Sequence, residues 1–284
     1  MADDSVSKPY KWNDAPPACV QFRTASRQNT GSVRVELELD KTGTTSWKAD
    51  VAKNPDQPTV QKVRIQTPRF YKFTVKEWPA KQGGSVSYSG SFALGDLEGP
   101  GQPAKFVNEW VEPMERRVIE SAASKSIEWF KKSKPINELE QLFSSSVNKG
   151  GTSQAGHEYG PLMKCKLPFQ RGKFRCQFYK GDASKPSSLA EYLRVTQDGR
   201  EPAECIAIID FESIWFMGRN FGVTPVLSSL LYFPVDRLTG FSFIEEAPAD
   251  DSDKRGPADA FLEDGPAPKR PRKALPEEVD DDRS

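Results

Sequence analysis

The 284-residue sequence predicts a mainly β fold: a barrel or sandwich of short strands with one helical insertion and a disordered C-terminal tail. Three observations support this prediction. Apolar and polar residues alternate in short runs that glycines and prolines bound. The apolar period changes to three and four residues within the segment from about 105 to 147. After Glu245, large apolar side chains almost disappear, so that segment cannot offset the entropy cost of folding.

Alternating runs predict strands on both sides of the helical segment. Before it, strands are predicted at 19–23, 33–39, 59–65, 70–75 and 85–94. After it, strands at 162–167 and 174–179 are predicted to form a hairpin through 170–173, and long strands at 204–217 and 226–233 flank a turn at 218–222. This order favours a barrel or sandwich over an alternating α/β sheet.

The helical segment is predicted as two helices. Apolar residues recur at helical spacing from Phe106 to Phe130, and we interpret Trp110, Trp129 and Phe130 as core residues. A second helix is predicted from about Ile136 to about residue 147. The predicted organisation is therefore a flexible segment at 1–17, a binding domain at 18–244 and a disordered tail at 245–284.

The formal net charge of zero conceals an asymmetry between the body and the tail. The last forty residues contain 13 acidic and 7 basic residues, which leaves 27 acidic and 33 basic residues in the body. A basic body suits a polyanionic partner. Inside the acidic tail, Lys269, Arg270, Arg272 and Lys273 form a dense basic cluster of the kind that nuclear-import receptors bind, which predicts a nuclear protein. The alternatives are non-specific binding of polyanions and no role.

The sequence does not indicate a membrane protein or a metal-binding protein. No segment approaches the roughly 18 to 20 apolar residues of a membrane span, and residues 1–4 lack the layout of a secretory signal, so an intracellular protein is expected. Cys19, Cys165, Cys176 and Cys205 are widely spaced and accompany a single histidine, His157. We expect no zinc site and reduced thiols.

The sequence also lacks the residue patterns of the common enzyme classes. A single histidine without a nucleophile-elbow motif does not favour acyl transfer, and neither a Walker loop nor a Gly-x-Gly-x-x-Gly turn is present. Asp210 and Glu212 lie at alternate strand positions, where they would hold a magnesium ion or act as structural carboxylates; the structural interpretation is preferred. A non-catalytic binding protein without a cofactor is expected.

Three segments, at 65–68, 159–167 and 214–225, resemble proteins of large eukaryotic DNA viruses that are similar to the single-stranded-DNA-binding proteins of phage replisomes. The resemblance implies an oligonucleotide-binding (OB) fold, which is an open five-stranded Greek-key barrel, here with a helical insertion. It also implies binding of single-stranded DNA in replication, repair or recombination, and an acidic tail that contacts replication proteins. The chain departs from the phage pattern because it ends without an aromatic residue. The tail residues to which partner binding is assigned are Phe261, Asp280, Asp281 and Asp282.

Binding a single strand requires aromatic faces for the bases and cations for the phosphates. Aromatic and basic residues lie within a few positions of one another at 69–73, at 169–175 and at 215–221. The predicted nucleic-acid-binding residues are Arg69, Tyr71, Lys72, Lys164, Lys166, Phe169, Arg171, Lys173, Phe174, Arg175 and Arg219. For each aromatic residue the competing interpretation is a place in the core, and for each cation it is ordinary solvated surface.

A structural or scaffolding protein of a virion or of chromatin is the alternative function, with the barrel serving protein contacts. A large exposed apolar patch without converging cations would favour it. The sequence leaves open the choice between DNA and RNA, a monomer or a homodimer, and a viral or a cellular origin.

Overall fold

The computed structural model describes residues 8–27, 33–53, 58–80, 85–152, 156, 158–197 and 202–234. Within these residues, eight strands contain four residues or more. They are β1 (Val33–Asp40), β2 (Val60–Gln66), β3 (Lys72–Trp78), β4 (Ser87–Ala93), β5 (Leu162–Leu167), β6 (Gln177–Lys180), β7 (Ala203–Met217) and β8 (Asn220–Pro234).

Five of these strands close into a ring in the order β3–β4–β5–β8–β7. An antiparallel bridge between Phe70, just before β3, and Cys205 of β7 completes it. The β5–β8 pair is parallel, and the other pairs are antiparallel. A five-stranded barrel that mixes antiparallel pairs with one parallel pair resembles the Greek-key barrel of the OB fold. The predicted mainly β, OB-like barrel with a helical insertion is therefore confirmed.

The remaining strands extend this ring. β1 and β2 pair with β7 and with each other, and β6 runs parallel to β8 beyond the end of β5. Short strands complete the sheets at Tyr10–Lys11, Val20–Phe22, Ser26–Arg27, Phe143–Ser144, Val147–Asn148, Gly151–Thr152, Glu158–Tyr159, Phe169–Gln170, Lys173–Phe174 and Pro186–Ser187.

The helices are α1 (Trp47–Lys53), α2 (Gln102–Phe106), α3 (Glu112–Ser124), α4 (Ser126–Phe130), α5 (Ile136–Leu142) and α6 (Leu189–Val195). A π-helical turn (Val107–Val111) joins α2 to α3, and single 3₁₀ turns occupy Pro17–Cys19 and Lys41–Gly43. The helical insertion therefore lies between β4 and β5. Its first part is broken at Lys125, which leaves the helical region of backbone angles, and its last helix stops at Leu142. It stops there because Phe143 and Ser144 pair with β8 instead.

Aromatic side chains fill the barrel and join it to the helical insertion. The rings of Phe70 and Phe73 both contact that of Phe92, at centroid distances of 4.9 and 4.7 Å. Phe106 stacks on Trp110, whose indole N–H donates to the carbonyl oxygen of Ala15 at 2.7 Å. Trp110 and Trp129 are buried, as predicted, and the half-buried Phe130 packs against the core. The insertion packs against the barrel through Phe106, whose ring centroid lies 6.1 Å from that of Phe70.

Three sequence predictions need correction. The segment at 8–17 is part of the folded body: Tyr10 is buried, and Tyr10–Lys11 pairs with β2. The predicted hairpin turn at 170–173 exists, but it joins only Phe169–Gln170 to Lys173–Phe174. The strand after it pairs with β8 and not with β5. The turn predicted at 218–222 consists of Gly218 and Arg219 alone, because Met217 already pairs with Asn220.

Candidate nucleic-acid interface

The outer face of strands β3, β4 and β5 combines cations, short polar residues and one exposed indole. Alternate residues of a strand point to opposite sides of the sheet, so burial of Phe73, Phe92 and Cys165 turns their neighbours outward. Two cross-strand rows result, Thr74–Ser91–Lys164 and Lys76–Ser89–Lys166. We define the outer face as Lys72, Thr74, Lys76, Trp78, Ser87, Ser89, Ser91, Lys164 and Lys166.

The lysines of this face are regularly spaced. Lys164 and Lys166 are exposed and stand about 7 Å apart along one strand, since each residue of a strand advances about 3.3 Å. Lys76 lies across the serine of β4 from Lys166, two strands and about 10 Å away. Between them the small serine side chains leave room above the sheet. The result is a positively charged surface with short side chains at its centre.

Trp78 lies at the end of β3 with 47% of its surface exposed. Its indole N–H donates to the hydroxyl oxygen of Ser89 at 2.8 Å, and the ammonium group of Lys76 lies 4.0 Å from the ring centroid. A hydrogen bond and a cation–π contact together fix the ring plane. Trp78 therefore offers an oriented aromatic surface beside the lysines.

Gly90 of β4 leaves room for the ring of Phe73 beneath the outer face. A Cβ atom at that position would lie 2.3 Å from the ring of Phe73, so only glycine lets the ring fill the barrel beneath β4. The serines on either side of Gly90 are thereby held outward.

The loop after β5 carries the second group of predicted residues. Arg171 and Gly172 both have positive φ angles, of 51° and 76°, as a two-residue type I′ hairpin turn requires. Phe169 and Phe174 face each other across this hairpin at 4.9 Å, and each also contacts Tyr88. The two phenylalanines are thus half-buried in a ring cluster, whereas Arg171 and Lys173 are exposed at the tip.

A groove of about 630 Å³ lies on a neighbouring part of the same sheet, and we refer to it as the side groove. Its floor contains Ile206, Ile208 and Leu231, and its walls include Lys62, Arg64, Arg175, Gln177, Tyr179, Ser228 and Ser229. Arg175, a predicted binding residue, is exposed there.

Asp210 is held by an arginine. The Nε and Nη2 groups of Arg64 donate to its two carboxylate oxygens at 2.7 and 2.8 Å. A bidentate pair of this kind uses the oxygens that a metal ion would need. Glu212 lies 3.8 Å from Arg34. This geometry supports the structural interpretation of the two carboxylates over a magnesium site.

Of the other predicted residues, Arg69, Tyr71 and Arg219 lie away from the outer face. Arg69 forms an ion pair with Glu204 at 3.0 Å, and its guanidinium lies 4.1 Å from the ring centroid of Phe233. Tyr71 is 54% exposed just before β3. Arg219 is exposed at the β7–β8 turn, seven residues along β8 from the partner of Lys166, which corresponds to about 20 Å. Lys72 is half-buried on the outer face.

Several predicted residues fall outside the described part of the chain. They are the basic cluster of Lys269, Arg270, Arg272 and Lys273, the tail residues Phe261, Asp280, Asp281 and Asp282, and His157.

Sequence reasoning missed Lys76, Trp78, Lys62 and Arg64. The signal for the first two was present, because Lys72, Thr74, Lys76 and Trp78 continue one alternation to the end of β3. The predicted strand ended at 75, three residues too early. Lys62 and Arg64 lay within a predicted strand, but only the three-dimensional structure places them beside Arg175.

None of the helices described is long and apolar enough to cross a membrane. Over the same residues, no three His, Cys, Asp or Glu side chains come together as a metal site.

No known protein family and no curated protein matches this sequence. Among solved structures, the single-stranded DNA-binding protein from bacteriophage Enc34 in complex with ssDNA is similar at 8% identity and a TM-score of 0.34, covering 78% of this chain and 96% of that one. The gp2.5 protein of bacteriophage T7, also a single-stranded DNA-binding protein, is similar at 12% identity and a TM-score of 0.36, covering 65% and 98%. At TM-scores below 0.5, these similarities establish neither the fold nor the function of this chain.

Proposed function

We propose that this chain is a non-catalytic single-stranded-DNA-binding protein that acts in DNA replication, repair or recombination. The outer face is the observation that supports the proposal: Lys76, Lys164 and Lys166 surround a row of serines, beside the oriented indole of Trp78. The resemblance of the segments at 65–68, 159–167 and 214–225 to proteins of large eukaryotic DNA viruses points the same way. We assign the chain to that viral type.

The proposed mechanism follows from the chemistry of these side chains. Lysine ammonium groups neutralise phosphates and release counterions, which makes binding favourable and dependent on salt. The exposed face of Trp78 stacks on a base, a contact worth about 1–3 kcal/mol and tolerant of base identity. In a duplex the bases are stacked on one another, so an aromatic side chain cannot reach their faces. A single strand with unstacked bases is therefore the form of nucleic acid that can use both contacts.

The scaffolding alternative is not favoured by the surface. The large apolar side chains exposed among the described residues come from different elements, namely Val60, Tyr71, Trp78, Ile127, Ile136, Tyr159 and Met217. On the outer face the aromatic side chain accompanies converging lysines, which is the arrangement expected for a polyanion.

The C-terminal tail at 245–284 has two proposed roles. Its excess of acidic residues, with Phe261, Asp280, Asp281 and Asp282, binds a replication protein. The basic cluster at 269–273 directs the protein to the nucleus of its cell or host cell through an import receptor.

Fluorescence anisotropy with labelled single-stranded DNA, duplex DNA and single-stranded RNA, each over a salt series, tests the proposal. We expect the full chain to prefer the single strand, with affinity that falls as salt rises. Exchange of Lys164 and Lys166 for Gln removes two phosphate contacts, so the slope of log K against log salt should fall by about 1.4. The matched control exchanges Lys105 and Lys132, two exposed lysines of the helical segment, for Gln. Absence of binding to any of the three ligands at low salt would refute the proposal.

A further inference from the structure

The side groove is continuous with the outer face through one row of the sheet. Lys166 of β5 is in register with Val226 of β8, Val226 with Asp210 of β7, and Asp210 with Arg64 of β2. Residues in register share a face of the sheet, and neighbouring strands are about 4.8 Å apart. Arg64 therefore lies three strands and about 14 Å from Lys166 on the same surface.

The side groove has the chemistry of a site for an anion with an apolar part. Two further rows form its floor, Ile206–Leu231–Tyr179 and Ile208–Ser229–Gln177. The Tyr179 hydroxyl donates to the side-chain oxygen of Gln177 at 2.8 Å, which fixes the phenol ring beside the isoleucines. Three basic residues line the groove, and no acidic residue does so among the described residues.

Lys62 and Arg175 provide the net positive charge of the side groove. Arg64 is neutralised by Asp210, whereas Lys62 and Arg175 are exposed and form no ion pair with another described residue. Lys62 lies on β2 and Arg175 lies in the segment before β6, so the two exposed cations come from different parts of the groove lining.

The acidic residues of β1 mark where this positive surface ends. Glu38 lies opposite Lys62 in the register of β1 and β2, where it pairs with Arg23, and Glu36 and Glu212 lie close by. Glu38 and Glu212 are paired with Arg23 and Arg34, so this side offers a polyanion no net positive charge. A bound polyanion can therefore continue from the side groove across β8 to Lys166 and the outer face.

We infer that the side groove is a second contact for the same DNA strand, occupied by the nucleotides that follow those on the outer face. Lys62 and Arg175 bind phosphates there, and a base lies on the apolar floor beside Tyr179. The inference rests on the proposed function. A single strand is the occupant because its phosphates and unstacked bases supply the anion and the flat apolar group, and its length spans the distance of about 14 Å between the two surfaces.

Oligothymidylates of two lengths test this inference with the full chain. One has about 6 nucleotides and covers only the outer face, and one has about 20 and exceeds the footprint of one OB fold. The test variant exchanges Lys62 and Arg175 for Gln. Its matched control exchanges Lys105 and Lys132 for Gln, and the variant with Lys164 and Lys166 exchanged for Gln reports on the outer face.

For the variant of Lys62 and Arg175, the affinity for the short oligonucleotide should match that of the wild type. Its affinity for the long one should fall about 25-fold at 0.1 M salt, and its salt slope should decrease by about 1.4, because two phosphate contacts are lost. The inference is overturned if this variant binds both oligonucleotides as tightly as the control does. The proposed function still stands in that case if the variant of Lys164 and Lys166 binds more weakly. Equal weakening at both lengths would also overturn it, since the side groove would then be the first contact. If the wild type binds neither length, the proposed function itself fails.

Discussion

The indole N–H of Trp78 donates a hydrogen bond to the hydroxyl oxygen of Ser89 on the adjacent strand, at 2.8 Å. This bond ties the last residue of β3 to the middle of β4, and the ammonium group of Lys76 lies over the ring. An exposed tryptophan would otherwise rotate freely and lose entropy when it binds a base. The hydrogen bond thus prepares an aromatic surface for a ligand.

Exchange of Trp78 for Ala should weaken binding of single-stranded DNA by about 1–3 kcal/mol, because a stacking surface is lost. Exchange for Phe retains the aromatic face and should recover part of this loss. Ser89→Ala removes only the acceptor and should cost less than Trp78→Ala. Titration by fluorescence anisotropy measures all three variants, with Tyr159→Ala, another exposed aromatic residue, as the control. Equal affinity of Trp78→Ala and the control would contradict the assignment.

Gly90→Ala should destabilise the barrel by about 1–3 kcal/mol, as forced overpacking of a core does. The added methyl group would lie 2.3 Å from the ring of Phe73 and 2.9 Å from Leu167. Gly160→Ala is the control, because no atom lies within 4 Å of its Cβ position. Urea unfolding followed by circular dichroism gives both free energies. If the two variants unfold at the same urea concentration, Gly90 is not required for the packing of Phe73 beneath β4.

The four cysteine thiols should react slowly in the folded protein. All four are buried, and burial raises the pKa of Cys176 to about 11 and those of Cys165, Cys205 and Cys19 above their ordinary value. A shift from 9.0 to about 11 lowers the thiolate fraction near pH 8 about 100-fold. Alkylation followed by mass spectrometry should therefore label each cysteine rapidly only after unfolding. Rapid labelling of Cys165 or Cys205 in the native protein would disagree with the burial described.

Stability should decrease with rising pH through the titration of Glu115. Burial raises the pKa of this carboxyl above 4.5, although Ser145 and Ser146 donate hydrogen bonds to it and oppose the shift, and Glu112 reinforces it. The folded state therefore binds the proton more tightly than the unfolded state, so the unfolding free energy falls between the unfolded and the folded pKa. Glu115→Gln removes this titration. The difference in unfolding free energy between the two proteins, measured by urea unfolding from pH 4 to pH 8, should change with pH, and a constant difference would contradict the shift.

Local patterns in the sequence predicted the parts of the fold that depend on neighbouring residues. The alternation around Lys164 and Lys166 predicted an outward-facing pair of lysines, and the residues around Gly172 predicted the hairpin turn; both are found. Trp78 was missed because the predicted strand ended at residue 75, three residues before the end of β3.

Local sequence patterns could not predict which distant strands pair with one another. β6 follows a hairpin and resembles its return strand, but its hydrogen bonds join it to β8, about fifty residues later. The side groove needs β2, β6, β7 and β8 together, and alternation in any one strand says nothing about its neighbours. The same limit explains why Arg219 was grouped with residues that lie about 20 Å away.

Photocrosslinking tests the central claim most directly. An oligothymidylate carrying photoreactive 5-iododeoxyuridine is bound to the full chain and irradiated, and the attached peptides are identified by mass spectrometry. We expect attachment at Trp78 or elsewhere within β3 to β5, lost at high salt and outcompeted by unlabelled single strand but not by duplex. Attachment confined to segments away from the outer face and the side groove, or insensitive to single-stranded competitor, would contradict the proposal that this face of the barrel binds single-stranded DNA.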